Sequence, residues 1–234
     1  MQGPFIERKY DLIIFDWDGT LFDSTAIITR CIQAAVVDVG GKRPTREQAS
    51  HVIGLNLMEA LAHAAPDVPA EKYPLLGERY RHHFFAQQNE ISLFDGVIDL
   101  LLELKRQHYW VTIGTGKSRK GLDVTLEREV LVEGKKMRLA MLFDGTRTAD
   151  ETQGKPNPKM LFELMREFGA DANRTLMIGD TTHDLQMAAN AGVAGLGVSY
   201  GAHEAEFLQT CHPLAIVHSV AELRAWLLEQ TQAG

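Results

Sequence analysis

The sequence predicts an α/β fold: a doubly wound, Rossmann-like parallel sheet core with an inserted α-helical cap domain. Three observations carry this reading. Short apolar runs rich in β-branched residues recur along the chain, and helical stretches separate most of them. Alternation of that kind builds a parallel sheet covered by helices on both faces, with right-handed crossovers. Between the first and second runs, residues 21–91 contain repeated helical patterning and no convincing strand.

The first strand is expected over residues 10–15, Tyr-Asp-Leu-Ile-Ile-Phe, a continuous apolar run of the type buried on both faces. Helices are expected at 26–39, 57–64 and 69–88. A simple βαβ crossover is far shorter than this stretch. Residues 22–91 are therefore read as a helical cap lying over one end of the sheet, and residues 1–21 with 92–234 as the catalytic core. A helix over 95–107 places Val97, Ile98, Leu101, Leu102 and Leu104 on one stripe. Further strands are expected at 110–113, 139–143, 175–178, 193–198 and 214–217. A helix over 158–168 opens on Pro158, suited to a first helical turn, and stops at Gly169.

The formal charge of −7 and the lack of any Lys/Arg stripe argue against binding a nucleic acid polymer. No apolar run reaches the roughly 18 residues of a membrane span. Residues 1–9 have no hydrophobic stretch of a secretory signal. Cys31 and Cys211 are too few and too far apart for a disulfide framework, which suits a reducing, cytoplasmic setting. Either a monomer or a homodimer is compatible with the sequence.

The strongest chemical signal is Phe15-Asp16-Trp17-Asp18-Gly19-Thr20, which follows directly on the first strand. Ligands of open α/β sheets bind outside the carboxyl ends of the strands. Strand alternation sends Asp16 and Asp18 to one side and Trp17 to the other. Two carboxylates that close repel unless a cation joins them, and a hard divalent ion such as Mg²⁺ fits. Three more segments fall after later strands. Gly114-Thr115-Gly116-Lys117-Ser118 opens a helix, where backbone N–H groups and the Thr115 hydroxyl could cradle phosphate oxygens. Gly154-Lys155-Pro156-Asn157-Pro158 fixes one lysine in a stiff loop. Gly179-Asp180-Thr181-Thr182-His183-Asp184 sets two acids one helical turn apart, Asp180 able to reach an ion and Asp184 a water beside it. His183 is read as solvent-facing or behind the site, because its neighbours are oxygen donors. Lys117, Arg119 and Arg147 are left out as ordinary exposed cations, and Arg79, Arg81, His82 and His83 as a solvated helix face.

Taken in order, Asp16-x-Asp18-Gly19-Thr20, Thr115-Gly116, Lys155 and Gly179-Asp180-x-x-x-Asp184 resemble the four motifs of the haloacid dehalogenase superfamily. The phosphoglycolate phosphatase-like hydrolases with a helical cap are the most similar branch. The resemblance covers nearly the whole chain. It implies hydrolysis of a small phosphorylated metabolite, with Asp16 as nucleophile, forming an aspartyl-phosphate, and Asp18 as general acid and then base. It implies that Thr115, the Gly116 amide and Lys155 bind the phosphoryl group. Mg²⁺ would be held by Asp16, Asp180 and the Asp18 backbone carbonyl, with Asp184 and Thr20 behind them.

Other readings of the fold fit less well. A dehalogenase usually replaces the acid at Asp18, and a phosphonatase needs a cap lysine, absent between Leu21 and Gly41. A β-phosphoglucomutase-like enzyme typically carries valine at the Thr20 position. A phosphoaspartate signalling module has no cap and no acid in the Asp18 role.

Overall fold

The computed structural model of the protein describes residues 8–230. The chain begins with β1 (Leu12–Phe15), buried along its whole length. Four α-helices follow it: α1 (Thr25–Asp38), α2 (Arg46–His51), α3 (Leu57–Ala64) and α4 (Tyr73–Gln87). Then come α5 (Val97–Arg106), β2 (Trp110–Thr115), α6 (Arg119–Leu126) and a hairpin of β3 (Glu129–Val132) and β4 (Lys135–Arg138). The chain continues through β5 (Gly145–Thr148), α7 (Lys159–Phe168), β6 (Thr175–Gly179) and α8 (Thr182–Ala191). It closes with β7 (Ala194–Val198), α9 (Ala205–Gln209), β8 (Ile216–Val217) and α10 (Val220–Glu229). Among the described residues, no helix is long and apolar enough to cross a membrane.

The main sheet is parallel throughout, in the order β5-β2-β1-β6-β7-β8. From β1 the chain first builds outward to β2 and β5, then crosses back to place β6 on the other side of β1. That reversal leaves a crevice at the carboxyl ends of β1, β2 and β6, where open α/β sheets bind ligands.

Alternation along β1 explains why both faces are covered. Ile13 and Phe15 join a cluster with Leu100, Leu101 and Leu104 of α5 and Leu223 of α10. Leu12 and Ile14 point the other way, against Met160, Leu161 and Leu164 of α7 and Met187 of α8. Helices α1–α4 share a separate apolar cluster built on Ile32, Val36, Ala49, Leu61 and Leu76. A capping box at Thr45 and Gln48 starts α2, and Asn56 accepts from the Glu59 N–H at 3.0 Å to start α3. Helix α7 stops at Gly169, whose φ of 61° is left-handed, as the sequence predicts.

The expected strand at 139–143 is not a strand. Leu139–Leu142 form a 3₁₀ turn that drops Leu139 and Leu142 into the core. The strand follows it as β5, Gly-Thr-Arg-Thr, which pairs only with β2 at the sheet edge. An edge strand needs no apolar run on both faces, so its polar sequence concealed it. The hairpin was also unforeseen. Its Glu133-Gly134 turn has positive φ at both residues, 49° and 78°, the backbone that two-residue hairpin loops require.

Ile13 is fully buried and lies level with Val111 on β2 and Leu176 on β6. Ile13→Ala is expected to cost about 2–5 kcal/mol of unfolding free energy. Urea titration should show a lower midpoint with an unchanged slope.

Candidate active site

Three strands deliver the site. Asp16 follows β1, Thr115 ends β2 and Asp180 follows β6. The Asp16 N–H donates to the Ile178 carbonyl at 2.8 Å, which carries strand pairing one residue past β1 and fixes the carboxylate's origin. The Asp16 side chain is 1% exposed. Its Oδ1 accepts a hydrogen bond from Lys155 Nζ, and its Oδ2 is buried with no hydrogen-bond partner among the described residues. Lys155 is equally buried and also faces Asp184 Oδ1 at 2.6 Å. Asp180 accepts from the Thr20 hydroxyl at 2.8 Å and from the Ala202 N–H at 2.7 Å. Asp184 accepts from the Thr181 hydroxyl at 2.7 Å and the Thr181 N–H at 3.1 Å, closing the capping box that starts α8.

One carboxylate oxygen each from Asp16, Asp180 and Asp184 lies within 4.8 Å of the others. Three buried acids thus lie together with one buried ammonium among them, which contacts Asp16 and Asp184. Burial pushes the Asp16 carboxyl up to about 7, with Lys155 opposing the rise and Asp184 and Asp18 adding to it. Burial also raises the Asp180 carboxyl well above the usual carboxylate range, reinforced by Asp16 and Asp184. Burial works against the charge on Lys155, but Asp16 and Asp184 outweigh it and hold the amine's pKa above its ordinary value. Such a cluster is short of positive charge. Its all-oxygen donor set and the unpartnered Asp16 Oδ2 fit a hard divalent cation.

Asp18 lies outside this carboxylate cluster. Its Oδ1 accepts from the Ser24 hydroxyl at 2.8 Å, and both its oxygens accept from Lys117 Nζ, at 2.8 and 3.1 Å. Lys117, set aside in the sequence as an exposed cation, is 12% exposed, and its Nζ stands 4.8 Å from the ring centre of Phe84 on α4. Its place two residues after Thr115, in the same turn, was the available signal. The other two cations set aside point elsewhere: Arg119 binds Asp123 and Glu151, and Arg147 binds Glu163 and Glu167. His183, half-buried, has its Nε2 3.0 Å from the His51 carbonyl and makes no contact with the acids' oxygens.

Thr115 is buried, and its hydroxyl accepts from the Lys117 N–H at 3.2 Å. Gly116 meets the helical unit: a Cβ there would stand 2.7 Å from the Leu55 carbonyl oxygen and closer still to that of Gly54. Gly19 has φ of 87°, and a Cβ on it would collide with Asp180 and stand 2.8 Å from Thr25 Cγ2. Both glycines are there because backbone must come close. Between α1–α4 and the strand ends lies a cavity of about 530 Å³ that reaches Asp16, Asp18 and Thr115. Arg81, read as part of a solvated helix face, is exposed yet lines this cavity, whereas Arg79 and His83 pair with Asp38 outside it.

Comparison with known proteins places this geometry. Residues 13–198 match the family model described as haloacid dehalogenase-like hydrolase. The chain is 35% identical over 217 residues to the "Probable phosphatase IndB" of Dickeya dadantii (strain 3937), covering 91% of each chain. It is 32% identical to a phosphoglycolate phosphatase of Aliivibrio fischeri (strain ATCC 700601 / ES114), covering 86% of this chain and 89% of that one. A 5'-nucleotidase of Pseudomonas aeruginosa (strain PAO1) is 30% identical, covering 92% of this chain and 95% of that one. The crystal structure of a hydrolase from Pseudomonas syringae superposes with a TM-score of 0.81 at 21% identity, covering 94% of this chain and 98% of that one, which speaks for the fold alone.

The Gly116 contact yields a direct test. Gly116→Ala is expected to push the 54–55 loop and its helices off the strand ends. Small-angle scattering should show a larger radius of gyration, and overpacking should cost about 1–3 kcal/mol. A scattering profile identical to the parent's would count against this packing.

Proposed function

The chain belongs to the haloacid dehalogenase-like hydrolase family, and on that premise we propose that it is a Mg²⁺-dependent phosphatase of small phosphate monoesters that works through an aspartyl-phosphate on Asp16. The supporting observation is Asp16 itself: a buried carboxylate at a strand end, one oxygen held by Lys155 and the other unpartnered, beside Asp180 and Asp184.

In the first step an Asp16 oxygen attacks phosphorus, a P–O bond to Asp16 forms, and the P–O bond to the leaving alcohol breaks. Asp18, outside the acid cluster with Ser24 and Lys117 on its oxygens, supplies the proton to the departing oxygen, for which Lys117 must give up its hold. In the second step a water attacks the phosphorus, Asp18 takes its proton, and the bond to Asp16 breaks. The net products are the alcohol and inorganic phosphate. Lys155, the Thr115 hydroxyl and the Gly116 amide would take the oxygens of the transferring phosphoryl group. Asp184 holds Lys155 in place, and Thr20 holds Asp180. Bound by Asp16, Asp180 and the Asp18 backbone carbonyl, Mg²⁺ would supply positive charge against the phosphoryl oxygens. We assign the helical segment 22–91 the role of a cap, the protein a cytoplasmic place, and a monomeric or homodimeric state.

A panel of phosphate esters is expected to release phosphate with Mg²⁺ and not with EDTA, and Asp16→Asn is expected to abolish release. Turnover that survives chelation would remove the metal from the proposal.

The Asp16 carboxyl sets a pH dependence. With its pKa near 7 before the metal binds, it is largely protonated at lower pH. Mg²⁺ requires this carboxylate and that of Asp180, which burial also raises, so binding expels at least one proton and weakens as pH falls, by roughly tenfold per unit or more below neutrality. Calorimetry in two buffers of different ionisation enthalpy should detect that proton at about pH 6. An affinity constant across this range would contradict the assignment.

A further inference from the structure

Resting on the phosphatase reading above, we propose that the leaving group is a bulky alcohol carrying an aromatic or heteroaromatic ring, rather than a short phospho-acid or an open-chain polyol. The cavity of about 530 Å³ against the strand ends is the first observation. It lies within the roughly 300–1,000 Å³ typical of sites that enclose a drug-sized molecule. A two-carbon phospho-acid would leave most of it unfilled.

The walls say what fills it. Ile28 and Ile32 from α1, Val52 and Ile53 from the loop after α2, and Tyr80 and Phe84 from α4 line it. Tyr80 and Phe84 stack on one another, with an interplanar angle of 17° and ring centres 5.9 Å apart, and both line the cavity. A planar ring packed against these two side chains buries apolar area and gains aromatic contact. Polyol hydroxyls set against the same walls would lose water without gaining partners.

The polar groups of the chamber point the same way. On the cavity lining, Lys117 is taken by both oxygens of Asp18. A carboxylate close to the phosphorus would therefore have to compete with Asp18 for Lys117. The other cations on the cavity lining, Arg81 and Lys120, have no ion-pair partner among the described residues and are exposed to solvent. Inside, the Tyr80 hydroxyl has no hydrogen-bond partner among the described residues, and burial raises its pKa well above the ordinary phenol value, so it stands as a neutral donor. One polar ring atom or ring substituent on the alcohol would satisfy it.

The test uses the whole protein with Mg²⁺ and compares initial rates of phosphate release from phenyl phosphate, a pyrimidine nucleoside 5'-monophosphate, phosphoglycolate and glycerol phosphate. The ring-bearing esters should show kcat/KM at least about tenfold higher, the low end of what one methylene is worth in a hydrophobic pocket. Which of the two leads tells whether the ring sits on the ester oxygen or beyond a sugar. Phe84→Leu, which keeps apolar volume but loses the ring, should bring the ratio of ring-bearing to ringless kcat/KM down toward one, chiefly through KM. Tyr80→Phe should lower the ratio for the nucleotide. Equal or better turnover of phosphoglycolate or glycerol phosphate by the parent protein would overturn the proposal and leave the phosphatase reading standing. A preference for rings that neither substitution reduces would also overturn it, since the ring would then be recognised elsewhere. Release from none of the esters would defeat the phosphatase reading, and this proposal with it.

Discussion

Three buried carboxylates gathered at one point, with a single ammonium shared by two of them, set the terms for the rest of this structure. Taking one ion out of water costs several kcal/mol, and it is tolerated only where partners replace the lost hydration. Here Lys155 is shared between Asp16 and Asp184, Thr20 and the Ala202 amide attend to Asp180, and Thr181 attends to Asp184. What they leave unmet is one oxygen of Asp16 and a surplus of negative charge. The parallel sheet is what makes this concentration achievable, because neighbouring strand ends lie under 5 Å apart and aim their first loop residues at one point. The close backbone approaches at Gly19 and Gly116 serve the same convergence.

Asp18 is placed by different means. It lies two residues from Asp16, yet Ser24 and Lys117 hold its carboxylate, and Lys117 in turn rests against Phe84 of the helical unit. The two acids of the first motif thus have separate environments, one dry and crowded with charge, the other at the mouth of the apolar chamber. Different environments for adjacent carboxylates are how one loop supports two chemical roles.

Much of this was legible in the residues. β1, β2 and β6 announce themselves as apolar runs ending in polar turns, and Asp16, Thr20, Lys155, Asp180 and Asp184 do meet. What stayed hidden has physical causes. β5 is a polar edge strand, and the apolar run before it spends its leucines on a turn against the core. Lys117 carried only the hint of its place after Thr115, since spacing along the chain does not name a neighbour 99 positions away. The aromatic wall was obscured because α4 divides its apolar residues between two jobs. Leu76 packs into the helical cluster, while Tyr80 and Phe84 also face the chamber. The Ala202 amide belongs to a backbone atom and leaves no trace in residue type.

The position of β1 in the middle of the sheet has a consequence for how the molecule comes into being. Leu12–Phe15 leave the ribosome well before the residues they pair with, 110–115 and 175–179. Both edges of this very apolar strand stay bare during most of synthesis, the circumstance in which nascent chains stick to one another. Helices α1–α4, whose contacts are local and whose apolar cluster is their own, can condense meanwhile beside it. Asp16 is thus translated long before Lys155, Asp180 and Asp184, the residues that come to surround it.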